Sequence, residues 1–206
     1  RDHQGMRIPK EDSFYGRGYE RPVYFCTGEP QGLFKYKNRA TGVASTAGKF
    51  ASAFALGSQL LEDDTAYRRL LGNKAISAWR LGRNKPGVCQ TAPGRAPYFY
   101  EEDNWVDDME LAAAQVNAFN GHKESGENFL ELAMNYAGQE KITPWLGSDT
   151  ARHYQWYPFI NLGHYELARQ LQGNQQKTII GYYKEGIEKV WNKAKQNAFY
   201  RGIPFI

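Results

Sequence analysis

The chain has only two cysteines, Cys26 and Cys89, and three methionines among 206 residues. Cysteines so few and so far apart cannot form a zinc knuckle, and spacing alone does not say whether they pair. Histidine is scarce as well. His3, His122, His153 and His164 never fall at the His-x-x-x-His spacing of a helical zinc site, which argues against a metalloenzyme. No Gly-x-Ser-x-Gly elbow is present, so nucleophilic hydrolysis of the esterase kind has no support. There is no run of the ~18 apolar residues that a membrane span needs. The opening Arg1-Asp2-His3-Gln4-Gly5 lacks the zones of a signal peptide. Basic residues do not cluster either: 26 Lys and Arg against 22 Asp and Glu leave a net charge of +4. That balance favours neither nucleic acid nor an anionic membrane as partner. What is present is globular in character, with 41% hydrophobic and 23% charged residues, enough to bury a core.

A 3.6-residue apolar period predicts six helices and no convincing strand. They span Ser45–Leu61, Thr65–Gly82, Asp107–Phe119, Gly126–Ala137, Phe159–Leu171 and Gln175–Ala194. Thr65 reads as the N-cap of the second helix and Gly82 as its stop. Short links such as Glu62-Asp63-Asp64 and Gln172-Gly173-Asn174 pair the helices into three antiparallel hairpins. The links between hairpins, Arg83–Val106 and Gln139–Pro158, run to about twenty residues or more, a length that signals function. Antiparallel pairing brings both of them, together with Arg1–Ala44 and the chain from Lys195 onward, to one end of the array. These segments hold 18 of the 30 aromatic residues, so that end reads as a binding surface. A hairpin period of roughly 55 residues does not fit the tetratricopeptide repeat of ~34. A closed ring of helices around a cleft fits better, and three hairpins make half of a six-hairpin ring.

Two local motifs invite a chemical reading. Gly42-Val43-Ala44-Ser45-Thr46-Ala47-Gly48-Lys49-Phe50 resembles a phosphate-binding loop but has five residues between its glycines, Phe50 after the lysine and no preceding strand. It is better taken as the entry to a closely packed helix. The segment from Glu101 to Glu110 carries six carboxylates in ten residues. Acids in a first helical turn are stabilised by the helix dipole, which accounts for Asp107, Asp108 and Glu110 without further chemistry. Beside Tyr98, Phe99, Tyr100 and Trp105, however, the same acids make a sugar site, with flat rings for a pyranose face and carboxylates for its hydroxyls. A third reading is a calcium site from Asp103, Asn104, Asp107 and Asp108. Of the histidines, His122 reads as solvated and His164 as a core or rim residue, leaving His3 and His153 for ligand contact.

Several stretches taken together resemble glycoside hydrolase family 9. These are Met6–Pro9, Arg21–Gly28, Lys35–Arg39, Thr41–Phe50 and, most specifically, Pro97-Tyr98-Phe99-Tyr100-Glu101-Glu102-Asp103-Asn104-Trp105-Val106-Asp107-Asp108-Met109-Glu110-Leu111. The likeness runs from end to end and implies an all-α, (α/α)6 six-hairpin toroid with a long open cleft. It implies inverting hydrolysis of β-1,4-linked glucan, polymer or oligosaccharide, by a paired aspartate base and glutamate acid. Neither family motif for those two residues is found here, so residues 1–206 are expected to be the central part of one catalytic domain. That piece should be inactive alone, and unstable or self-associating without the remainder of the domain. The resemblance places substrate contacts at His3, Tyr98, Phe99, Tyr100 and Trp105, with Trp156 and Tyr157 on a weaker match. Asp107 and Asp108 match an acidic pair that holds calcium in some members, joined here by Asp103. The residue completing that site is replaced near Phe159 and Ile160, so a structural calcium is allowed and no cofactor is required. Secretion or a periplasmic location is expected by analogy with polymer-degrading enzymes. The rival readings are a six-hairpin glycosidase acting on oligosaccharides and a non-catalytic carbohydrate-binding scaffold.

Overall fold

The computed structural model describes residues 26–31, 37–61, 63–90, 104–119, 125–142, 162–200 and 202. Their regular structure consists of α1 (Ala44–Leu60), α2 (Thr65–Asn84), α3 (Val106–Ala118), α4 (Phe129–Gln139), α5 (Leu162–Gln170) and α6 (Gly173–Lys195), with no strand among the described residues. All six lie where the apolar period predicts them, but some ends differ. Asp64, not Thr65, caps α2, its side chain accepting from the Tyr67 amide at 2.8 Å. Nor does Gly82 stop that helix, which runs on to Asn84. Gly82 is buried instead against α3, where a Cβ would lie 2.8 Å from Met109 Sδ. It is a contact glycine within the helix. α4 begins at Phe129 rather than Gly126, because Asn128 Oδ1 accepts from the Glu131 amide at 3.2 Å and supplies the cap.

The core sits around α3, whose Met109, Ala112, Ala113, Ala114 and Val116 are all fully buried. Such a helix, apolar on nearly every face, belongs in the middle of an array. It packs against α1 on one side and against α4 and α5 on the other, while α2 pairs with α1 and α6 with α5. α1, packed against both α2 and α3, buries the small residues Ala44, Ala47, Gly48, Ala51 and Ala55 and meets α3 at Gly48. Their helix axes come so close that a Cβ on Gly48 would lie 2.7 Å from the Asp108 carbonyl oxygen. On the α2 side, fully buried Trp79 meets Phe129 and Tyr136 edge-on, at 5.5 and 5.9 Å between centroids. Its indole N–H donates to Glu127 Oε2 at 3.0 Å, giving a buried donor the partner it requires.

Among the described residues the helix ends that carry irregular chain lie together: Lys49 near the start of α1 pairs with Asp108 at the start of α3, and Asn104 before α3 bonds Glu140 after α4. The residues before α1 run alongside those after α2. The Thr41 amide donates to the Val88 carbonyl at 2.9 Å, the Val43 amide to Lys85 at 2.9 Å, and Asn38 Nδ2 to the Gln90 carbonyl at 2.9 Å. A disulfide joins Cys26 to Cys89 across the same pair of segments. The Ser45 amide donates to the Gly87 carbonyl and Ser45 Oγ accepts from the Cys89 amide. Backbone of the Lys85–Gln90 segment therefore takes the place beside the α1 N-terminus that a phosphate would need, and the glycine-rich stretch is a helix entry.

Candidate active-site rim

Where α3 begins and α4 ends, the polar side chains of Asn104, Glu110, Glu140 and His164 converge. Asn104 stands just before α3, its Oδ1 accepting from the amides of Trp105 at 2.8 Å and Val106 at 3.2 Å, which satisfies donors a helix start leaves open. Its Nδ2 donates to Glu140 Oε1 at 2.8 Å. Glu140 is the C-cap of α4. One residue further, the Lys141 carbonyl lies 3.0 Å from His164 Nε2, on α5. The other ring nitrogen, Nδ1, is 2.6 Å from Glu110 Oε1, and this pair is almost wholly enclosed, 2% and 0% exposed.

A carbonyl oxygen can only accept, so His164 Nε2 carries a proton, and Nδ1 shares a second proton with the Glu110 carboxyl across the 2.6 Å contact. Burial by itself pulls the imidazole pKa down, but the Glu110 hydrogen bond and charge, the Lys141 carbonyl and Asp107 together outweigh it, and the net shift is upward. The rings of Tyr182 and Tyr183 flank the imidazole at 5.7 and 6.4 Å. Lys141 Nζ sits 5.8 Å over the Tyr182 ring, so α6 closes the far side.

Glu140 is perturbed in the opposite sense from a salt-bridged acid. Burial pushes its pKa up, the charge on Asp107 adds to that, the Asn104 hydrogen bond offsets part of it, and Glu110 raises it further, to about 8. At neutral pH this carboxyl keeps its proton. It can donate a hydrogen bond as well as accept one, a property unusual among surface-proximal acids.

Of the residues predicted from sequence to contact sugar, Trp105 is the one described. It directly precedes α3, is partly buried, and presents one edge to Tyr136 at 6.1 Å and 78°. It is neither sunk in the core nor remote from the rim. His3, Tyr98, Phe99, Tyr100, Trp156 and Tyr157 lie outside the described residues, as does Asp103. Asp108 Oδ2 is bound by Lys49 Nζ of α1 at 2.6 Å, and Asp107 Oδ1 accepts from the Asp108 amide at 2.9 Å. Lys49 thus supplies a positive charge at Asp108, and Asn104 Oδ1 is engaged by the α3 amides. Among the described residues no three His, Cys, Asp or Glu side chains group as a metal site. Sequence reasoning missed Glu140 and the Glu110–His164 pair. The available signal was that His164 continues the apolar stripe of Leu167 and Leu171, and a charged residue at a core position demands a partner.

Three α-helical hairpins, α1–α2, α3–α4 and α5–α6, make up a portion of an (α/α)6 array. A family model for glycosyl hydrolase family 9 matches residues 1–203. The chain belongs to that family, which makes it a glycoside hydrolase chain with carbohydrate as its substrate class. No curated protein and no solved structure matches it.

Proposed function

We propose that residues 1–206 are the central portion of an inverting endo-β-1,4-glucanase catalytic domain, supplying one wall of the substrate groove. The observation that carries this reading is the family match over residues 1–203, on a fold whose long connections leave from a single rim. Trp105, standing at that rim, offers a ring to a pyranose face. On this reading His3, Tyr98, Phe99 and Tyr100 join it, and Trp156 and Tyr157 extend the track. Inverting hydrolysis needs one carboxylate to activate water and one protonated carboxyl to release the leaving oxygen, about 6.5–9.5 Å apart. The reading expects that aspartate and glutamate on chain outside residues 1–206, and a fragment limited to these residues to be inactive. No cofactor is required, and no step runs through calcium. The Cys26–Cys89 disulfide supports an oxidising compartment, and hence secretion or a periplasmic location.

The test is product analysis with the full-length protein on β-1,4-glucan polymer and on cellobiose, following the anomeric configuration by NMR. Rapid loss of polymer viscosity with release of the inverted anomer supports the proposal. Turnover of short oligosaccharides alone would instead indicate a six-hairpin glycosidase, and binding without any product a carbohydrate-binding scaffold.

A further inference from the structure

We propose that Asn104–Glu140 and Glu110–His164–Lys141 form one clasp that fixes the roots of the two long connections relative to each other, making Glu140 and His164 positioning residues for sugar binding. The inference rests on the reading of residues 91–103 and 143–161 as groove-bearing connections, and it concerns only their anchored ends. The first connection ends at Asn104, whose side chain reaches across to Glu140 at 2.8 Å. The second departs just after Lys141, whose carbonyl is held by His164 at 3.0 Å, and it re-enters the fold at Leu162, two residues before that same histidine. Three of the four chain ends of the two connections thus lie at or within two residues of two hydrogen-bonded links that the Glu140–Lys141 peptide joins. Glu110, rising from α3, anchors the second of them in the core through a 2.6 Å contact.

Helix packing alone does not require this arrangement. α3, α4 and α5 meet through apolar contacts along their length, among them Met109, Ala113, Ala133 and Leu167. The clasp instead joins side chains to irregular backbone at one end, which is where direction is set for the chain that follows. Its members are rigid for physical reasons: the His164 ring is hydrogen-bonded at both nitrogens, and a buried pair of this kind is favourable only in a narrow range of geometry. Sites that act on substrate hold their contact residues through such supporting bonds, and small displacements of these contacts are costly.

Four variants of the full-length enzyme separate the possibilities, each measured well below its melting temperature. Glu140→Ala and His164→Gln break the clasp at its two joints, Glu140→Gln keeps the acceptor for Asn104, and Leu167→Ala weakens the α5 core without touching the clasp. Amide hydrogen exchange in residues 91–103 and 143–161 should quicken by about tenfold in the first two and stay unchanged in the others. KM for cello-oligosaccharides should rise by about tenfold in the same two, with Glu140→Gln near the unaltered enzyme. If exchange is unaffected in Glu140→Ala, or changes as much in Leu167→Ala, the clasp has no special role and the proposal fails. Absence of β-glucan turnover in the unaltered enzyme would overturn the proposed function, while the exchange measurement would still decide whether the clasp exists. Should His164→Gln not fold, Glu140→Ala at the less buried joint carries the decision.

Discussion

Replacing Glu140 by glutamine should stabilise the protein, and the gain should grow with pH. Its carboxyl is held at about 8 by burial, then by the nearby charges of Asp107 and Glu110, against 4.5 for an unperturbed glutamate. Below pH 4.5 the group is protonated whether the chain is folded or not, and it contributes no pH dependence. Between 4.5 and 8 the unfolded chain releases the proton while the native state retains it, so stability falls as pH rises. Above 8 both states are ionised and the full cost is felt. At about 1.4 kcal/mol per pKa unit, the loss is on the order of 3 kcal/mol at pH 7 and 5 kcal/mol above pH 8. Glutamine has no proton to lose, keeps an oxygen for Asn104, and removes a charge crowded by two others. Urea unfolding of both proteins at pH 4, 7 and 8.5 measures the difference directly. The two should be nearly equal at pH 4 and should diverge in favour of Glu140→Gln by a few kcal/mol at pH 8.5. A difference that stays flat across this range, or one that favours the glutamate at high pH, would refute the reasoning.

Gly48→Ala should lower the melting temperature, because a Cβ there would lie 2.7 Å from the Asp108 carbonyl and drive α1 from α3; overpacking of this kind costs about 1–3 kcal/mol, readable by calorimetry. Cys26→Ser should destabilise by about 4 kcal/mol on loop-entropy grounds, since the disulfide closes a loop with a sequence separation of 63. Adding a reductant to the unaltered protein should match that loss, and should have no effect on Cys26→Ser. Trp105→Ala should weaken cello-oligosaccharide binding by about tenfold in calorimetric titration, the scale of one aromatic contact. The same substitution removes the Tyr136 edge contact, so binding must be compared well below both melting temperatures.

The fold was legible where periodicity and loop length carry the information. Both are local in sequence, and six helices and their pairing follow from them. Helix ends were read less well, because the deciding contact was elsewhere: Gly82 looks like a stop signal until Met109, from another hairpin, is seen to occupy the space beside it. Asp64 outcompeted Thr65 as the cap although both are capping residues, the choice resting on which side chain reaches the Tyr67 amide. The site shows the same limit more sharply. Trp105 and the acids around it stand out as a composition anomaly in one short stretch, and a resemblance could be attached to them. The clasp could not be seen that way, since its bonds join residues 36 and 54 positions apart and no short motif spans them. One inference was nonetheless within reach. Glu110 lies on an Ala-rich helix beside Met109 and Ala113, and His164 on an apolar stripe with Leu167 and Leu171. Two ionisable residues at core positions of different helices cannot both be buried without compensation, and the cheapest compensation is each other. Searching predicted core stripes for complementary charges, rather than searching loops for motifs, would have paired them. That search would still not have found Glu140, whose proton is retained because folding buries it and brings Asp107 and Glu110 of α3 near the end of α4, an arrangement that exists only after folding.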